Sequence, residues 1–514
     1  MRHNRFSTYL RESKLFGVMF VLLLFCTSLV IRNPYIGRSF GDQHEWATAH
    51  TLIALEILQS EGAIQNVFRN IQTYPGENNK HIWWVTTRVM DEHGIGYYTS
   101  YPPFALIFAY TVFTVLSVPF TIASIEIFNL ILHGSSAAIL YLIVYEMVSC
   151  KSKNIYAIIG VTYYIFLPLH LWAFHKIYSW DILWHYFWIA ELYVMFNLIK
   201  NIDIHSAVTT SRLTYLLGSL NFLTIFTEYQ GVYFAIGAFV FALGMSRYDK
   251  RYITIARTLA LSTFLSLTIT FMQHVTVTGV LPFLHVVYHK LFVQYGTLGM
   301  STQVGSISSI GKYLYAYLSP LLPIIVYLIF LSFIYRNRKI SLGIGIEKAF
   351  VMILFLPSAL HLIFFLPDHI IHEFTLLKLS IGLSIIIPLL LSYYDVFLVS
   401  NTTLFRSIIL LLVAQSIVAS VAIYKREYAQ QPNQNRYMIL GNQIKKQLQA
   451  SEVGFINDTK CLNPQLIYFT KRNLAYAESL DQVNQWLVQH NKKKGKLFSL
   501  REGCVLESVV LVNK

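Results

Sequence analysis

The chain has 514 residues, of which 55% are hydrophobic and only 13% charged, with a mean hydropathy of +0.50. That charge fraction is about half that of an ordinary soluble domain, which excludes a water-soluble globule and indicates a polytopic membrane protein. The net charge of +14 does not indicate a nucleic-acid partner, because Lys and Arg cluster in short segments between apolar runs, as the positive-inside bias requires.

Met1 to Lys14 carries Arg2, Arg5, Arg11 and Lys14 ahead of an apolar run from Leu15 to Ile31. The run is long for a signal peptide and Thr27-Ser-Leu-Val-Ile-Arg32 offers no small-x-small cleavage site, so an uncleaved first helix with a cytoplasmic N-terminus is expected. Further apolar spans are read near 122–149, 155–173, 182–199, 213–226, 231–245, 253–275, 313–335, 346–366, 374–393 and 407–424, about eleven in all. Residues 104–120 are apolar too, but counting them as a span would reverse every later loop, so they are read as re-entrant or interfacial. The groups Lys151/Lys153, Lys200/Arg212, Arg247/Lys250/Arg251 and Arg336/Arg338/Lys339/Lys348, and Arg406, then face the cytoplasm.

In this register residues 1–424 form a transmembrane helical bundle with a large first outer loop, 32–103, and a second long outer segment, 276–312. The latter contains Gly279, Gly296, Gly299, Gly305 and Gly311 and is read as either a lid or an ordered binding loop. From 425 to 514 the pattern changes to that of a small α/β soluble domain on the periplasmic side. Its expected elements are a helix over 437–450, a strand at 453–456, a helix over 464–471, a strand at 474–477, a helix capped by Ser479-Leu-Asp-Gln482, and strands at 496–500 and 508–512. Cys461 and Cys504 both fall there, as a disulfide or as two separate thiols.

Candidate chemistry gathers on the outer side. Gly41-Asp-Gln-His-Glu-Trp46 follows the first span by about ten residues, with Asp42, His44 and Glu45 together. If a helix starts near Asp42, the two acids share a face; D-x-x-E is equally a capping-box pattern. Asp181, at the edge of an apolar helix, is an outer acid that could join them or could be a cap or an ion-pair partner of Lys176. Glu191, deeper in the same span, is a lesser candidate. Pro367-Asp-His-Ile-Ile-His-Glu373 puts His369, His372 and Glu373 at one outer helix end, with Lys378 five residues further on where a phosphate would be a natural counter-charge. His369 and His372 are three apart, as metal ligands can be, but spacing fixes no third ligand, so ligand spacing does not support a divalent metal and no cofactor is assigned. Tyr101-Pro-Pro103 closes the first loop.

These motifs resemble those of GT-C type glycosyltransferases, the polytopic class that uses polyprenyl-phosphate sugars and includes protein O-mannosyltransferases and aminoarabinose transferases. Gly41 to Trp46 is similar to the family's first-loop acidic motif, Tyr101-Pro-Pro103 to its x-P-P segment, Asp181 to its second-loop acid, and Ile371-His-Glu-Phe374 to an element before a late span. The resemblance covers roughly residues 1–400. It departs where Gln43 follows Asp42, and where Thr227-Glu228 stands in place of a Thr-Lys. The resemblance implies sugar transfer from a polyprenyl-phosphate donor to a hydroxyl of a lipid, glycan or protein acceptor, at the periplasmic face of a bacterial inner membrane. Asp42 would be the base, Glu45 and Asp181 its support, and His44, Tyr101, Lys176, His369, His372, Glu373 and Lys378 the substrate-binding set. The alternatives are a transporter or flippase of lipid-linked sugars, or an oligosaccharide polymerase or ligase.

Overall fold

Ser13 opens the first helix of the computed structural model: its hydroxyl accepts the Phe16 amide at 3.4 Å, and α1 spans Lys14–Arg32. The 19 residues of α1 rise about 28 Å, close to the ~30 Å of a bilayer's hydrocarbon core. Val21, Phe25, Ser28 and Arg32 recur at helical spacing on its buried face, while Leu15, Met19, Leu23 and Val30 are exposed, as a lipid-facing surface requires. The structure describes residues 13–42, 44–82, 89–148, 150, 152–200, 202, 207–288, 318–335, 376–397, 402–429 and 435–513.

The first loop contains α2 (Trp46–Glu61) and a small hairpin of β1 (Val89–Met90) with β2 (Gly96–Tyr97). Then come α3 (Phe104–Val115), α4 (Ile122–Met147), α5 (Lys153–Phe166), α6 (Pro168–Lys176), α7 (Trp180–Lys200), α8 (Ala207–Thr227), α9 (Gly231–Met245), α10 (Arg251–Thr278) and α11 (Val280–Tyr288). After these come α12 (Leu322–Tyr335), α13 (Leu377–Phe397) and α14 (Thr402–Ile423), the last running into a π-helical turn, Tyr424–Ala429.

Among the described residues, α1, α4, α7, α10, α13 and α14 are each long and apolar enough to cross a membrane, and α5 and α6 pass the same test only together, as a pair bent by 58° that is either a broken span or a re-entrant loop. The straight span expected at 155–173 is thus broken. Pro168 forces Leu167 into an extended conformation (φ −53°, ψ 137°) and then starts α6 as its first residue. α3 has 12 residues, about 18 Å, too short to cross the ~30 Å core. The spans read at 213–226, 231–245 and 313–335 fall on α8, α9 and α12, and the one at 346–366 lies outside the described residues.

Within the bundle α8 packs on α7 and α10, α4 on α1, α5 and α7, and α5 on α13. The α5–α13 crossing depends on Gly160, where a Cβ would sit 2.2 Å from the Ser384 carbonyl oxygen. Trp172, Trp184 and Trp188 fill the interior, with the last two stacked at 4.6 Å.

The C-terminal residues form α15 (Arg436–Gln447), β3 (Val453–Ile456), α16 (Pro464–Thr470), β4 (Leu474–Tyr476), α17 (Leu480–Gln489), β5 (Lys494–Arg501) and β6 (Val505–Asn513). The sheet order is β4-β3-β5-β6, with β3 parallel to both neighbours and β6 antiparallel to β5. All four residues of β3 are buried, as a central parallel strand requires. Ser479 caps α17 by accepting the Gln482 amide at 3.3 Å, but Gln482 reaches back to the Glu478 amide rather than to that of Ser479. A disulfide joins Cys461 to Cys504.

This region packs on the first loop. Asn473 donates to the Gln72 carbonyl and accepts the Tyr74 amide, Arg472 donates to Asn79, and Phe40 inserts between Tyr468 and Phe469.

Candidate active site

The path from α1 to α2 reverses direction through Gly37, at φ +75°, and His44, at φ +43°. The left-handed backbone at His44 keeps the preceding residues out of the helix, so α2 begins at Trp46. This corrects two expectations: Asp42 does not cap α2, and Asp42 and Glu45 do not share a helical face. Glu45 holds the N-cap position, with no side-chain cap bond.

Glu45 instead turns its carboxylate back on the loop. Its Oε2 accepts from Arg38 Nη1 at 3.1 Å and from the Gly41 amide at 2.7 Å, and Oε1 pairs with Arg38 Nη2. It is 1% exposed, so burial raises its carboxyl above the usual range against the pull of Arg38. The effect is a clip that fixes Arg38 to Gly41 and with them the place of Asp42.

Asp42 is the opposite case, a carboxylate with 40% of its side chain exposed. Among the described residues its two polar contacts come from the start of α15: Arg436 Nη2 and the Tyr437 hydroxyl donate to Oδ1 at 2.5 and 2.8 Å. Burial raises the Tyr437 phenol, which keeps its proton available for donation. Asn435 joins the same seam by accepting from the Ser39 hydroxyl at 2.5 Å. One carboxylate oxygen is therefore anchored, and among the described residues no hydrogen bond or ion pair is made to the other. Neither Arg436 nor Tyr437 had any signal in the sequence, since nearly four hundred residues separate them from Asp42.

Lys176, expected among the substrate-binding residues, is committed elsewhere. Its Nζ donates to Glu126 Oε1 at 2.5 Å and to the Tyr35 carbonyl, with both ion-pair side chains almost fully buried. Glu126 Oε2 accepts the Gly37 amide at 2.6 Å and lies 3.6 Å from His175 Nε2. A buried ammonium needs a carboxylate and carbonyls around it, so the fold uses Lys176 to tie the loop to α4 rather than presenting it to a ligand. An acid near the start of the apolar run that forms α4 was the signal that could have revealed Glu126.

Asp181 does not pair with Lys176 either. It lies in the first turn of α7, 3% exposed, with Oδ1 3.4 Å from Lys378 Nζ on α13. Lys378 sits 5.9 Å over the Trp184 ring, so the cation that was expected to meet a phosphate is shared between a carboxylate and an aromatic face. Among the described residues no hydrogen bond or ion pair joins Asp181 to Asp42 or Glu45. The His44 ring lies 6.3 Å from that of Trp172, and Tyr101 stacks on Trp180 at 4.4 Å. Glu191 is buried beside Thr224 between α7 and α8. His369, His372 and Glu373 lie outside the described residues, as do Gln43 and most of 276–312. Among the described residues no group of three His, Cys, Asp or Glu side chains could hold a metal.

No protein-family model matches the sequence, and no curated protein matches it. Solved structures do. The chain is similar to the archaeal oligosaccharyltransferase AglB from Archaeoglobus fulgidus, in complex with an inhibitory peptide and a dolichol-phosphate. The TM-score is 0.60 at 11% identity, over 94% of this chain and 69% of that one. It is similar also to ArnT from Cupriavidus metallidurans bound to undecaprenyl phosphate, with a TM-score of 0.56 at 11% identity, over 94% and 93% of the two chains. At such identities the likeness shows the fold, and the fold of this chain is that of the GT-C type polytopic membrane glycosyltransferases.

Proposed function

We propose that this protein transfers a sugar from a polyprenyl-phosphate donor to an acceptor hydroxyl at the outer face of a bacterial inner membrane. The observation that carries the reading is Asp42: an exposed carboxylate on a clipped loop, held through Oδ1 by two donors, with Oδ2 available as a general base. The acceptor oxygen attacks the anomeric carbon, Asp42 takes its proton, and the bond from that carbon to the phosphate oxygen breaks with inversion. Polyprenyl phosphate leaves. Arg436, whose Nε has no hydrogen-bond partner among the described residues, pairs with Asp42 and is assigned to the departing phosphate.

In this assignment Glu45 holds the loop, Asp181 and Lys378 form a supporting pair, and His44, His369, His372 and Glu373 remain candidates for contact with sugar or phosphate. The topology that goes with it has eleven spans, a cytoplasmic N-terminus and residues 425–514 as a periplasmic α/β domain. No cofactor is assigned, and a chelator arm in the transfer assay tests that assignment. Likeness of fold to glycosyltransferases favours transfer over transport of lipid-linked sugars.

The test compares envelope glycolipids and glycans by mass spectrometry in cells with the protein, without it, and with Asp42→Asn. Loss of one sugar-bearing species in the deletion and in Asp42→Asn, at unchanged protein level in the membrane, is the expected result. Near-wild-type product from Asp42→Asn would falsify the base assignment.

A further inference from the structure

Besides the seam at Asp42, the first loop meets the C-terminal region at a pair of histidines. His81 of the loop and His490, at the C-terminal end of α17, stack with ring centroids 5.3 Å apart and planes within 21°. His490 also lies against Trp486 at 4.3 Å. His81 has little room to turn away. Its backbone is left-handed, at φ +61°, its amide donates to the Gly94 carbonyl at 2.8 Å, and a Cβ at Gly94 would come within 2.6 Å of the imidazole.

The charged groups around the stack are weighted towards cations. Lys80 pairs with Glu77 at 2.6 Å, and Lys492 donates to the Glu77 carbonyl at 2.6 Å, with its Nζ 4.0 Å from the carboxylate. In the turn that leads to Gly94, the Asp91 carboxylate is committed to the His93 and Ile95 amides and to the Tyr97 hydroxyl, while Glu92 and His93 are exposed. Burial holds the His490 imidazole below its usual range, and His81 and Lys492 push it the same way. Neutral rings stack favourably. Two imidazolium charges 5.3 Å apart would repel well inside the ~8 Å screening length of physiological salt. With Lys80 and Lys492 they would put four cations around Glu77.

We propose that this stack is a pH-sensitive clasp, which holds the C-terminal region on the first loop while both rings are neutral and loosens when they take up protons. Because the folded state resists protonation of His490, the contact is at full strength above the ~6.5 of a free imidazole and is lost as the pH falls below it. The consequence for catalysis rests on the function proposed above: the same region brings Arg436 and Tyr437 to Asp42, so opening the clasp weakens their hold on the base.

Hydrogen–deuterium exchange read by mass spectrometry, on the full chain in lipid nanodiscs, tests the clasp without any substrate, so failure of the base assignment leaves the result standing. After correction for intrinsic exchange, protection of segments 72–82 and 484–491 should fall about three- to tenfold between about pH 7.5 and about pH 5, while α4 and α7 stay unchanged. His81→Phe and His490→Phe keep a stacked ring that binds no proton, and either should remove most of that fall. Glu77→Gln, at a side chain 75% exposed, takes away counter-charge and should deepen it. Protection in the wild-type chain that does not change with pH overturns the proposal, as does a fall equally large in both phenylalanine variants or one that Glu77→Gln leaves unaltered. With transfer activity in hand, kcat/KM should lose less on the acid side in His490→Phe than in the wild type; an equal loss overturns the link between the clasp and Asp42.

Discussion

Replacing Lys176 with Met separates a structural lysine from a ligand-binding one. In the structure Lys176 and Glu126 pair at 2.5 Å with side chains 3% and 2% exposed, and among the described residues the further partners of Glu126 are the Gly37 amide at 2.6 Å and His175 at 3.6 Å. Lys176→Met leaves that carboxylate buried with one strong donor, and breaking a buried pair from one side costs about 3–5 kcal/mol. For a chain of this size that is a fall of about 5–10 °C in thermal midpoint. Removing the charge from both sides avoids the orphan, so Lys176→Met/Glu126→Gln should recover most of the loss. The assay is thermal unfolding by intrinsic fluorescence in nanodiscs, run beside donor KM. The reasoning is refuted if Lys176→Met unfolds at the wild-type temperature while donor KM rises, because Lys176 would then be serving the substrate and not the loop.

Three further outcomes are expected. Tyr437→Phe removes one of the two donors on Asp42 Oδ1, and at a partly exposed carboxylate a hydrogen bond of about 1 kcal/mol corresponds to roughly fivefold in kcat/KM; in an Asp42→Asn background the same change should have almost no further effect, and additive losses would place Tyr437 outside the base's environment. Gly160→Ala brings a methyl group to 2.2 Å from the Ser384 carbonyl, so α5 and α13 must separate; a destabilisation of about 1–3 kcal/mol should appear in the unfolding midpoint, and an unchanged midpoint argues against the close crossing. Cys461 and Cys504, 43 residues apart, close a loop whose opening in the Cys461→Ala/Cys504→Ala variant should cost about 2–4 kcal/mol, seen as protease-sensitive C-terminal residues while the bundle stays intact; equal protease resistance in the variant would argue that packing on the first loop suffices.

The sequence by itself determined what depends on local composition. Apolar runs of about 20 residues gave the main spans, since burying backbone in lipid leaves the helix as the only satisfied form of a single segment. The C-terminal strands and helices were legible because their periodicity and caps are short-range, down to Ser479 at the start of α17. What only the tertiary structure decided was which charges meet. Lys176 chose Glu126, Lys378 chose Asp181, and Asp42 received Arg436 and Tyr437 from the far end of the chain. Ion pairing in a buried setting depends on distances of a few ångströms between helices, and no spacing along the sequence encodes those distances. The His44 backbone made the same kind of decision locally: one left-handed residue delayed α2 to Trp46 and turned an apparent acidic pair into a buried clip, Glu45, and an exposed carboxylate, Asp42.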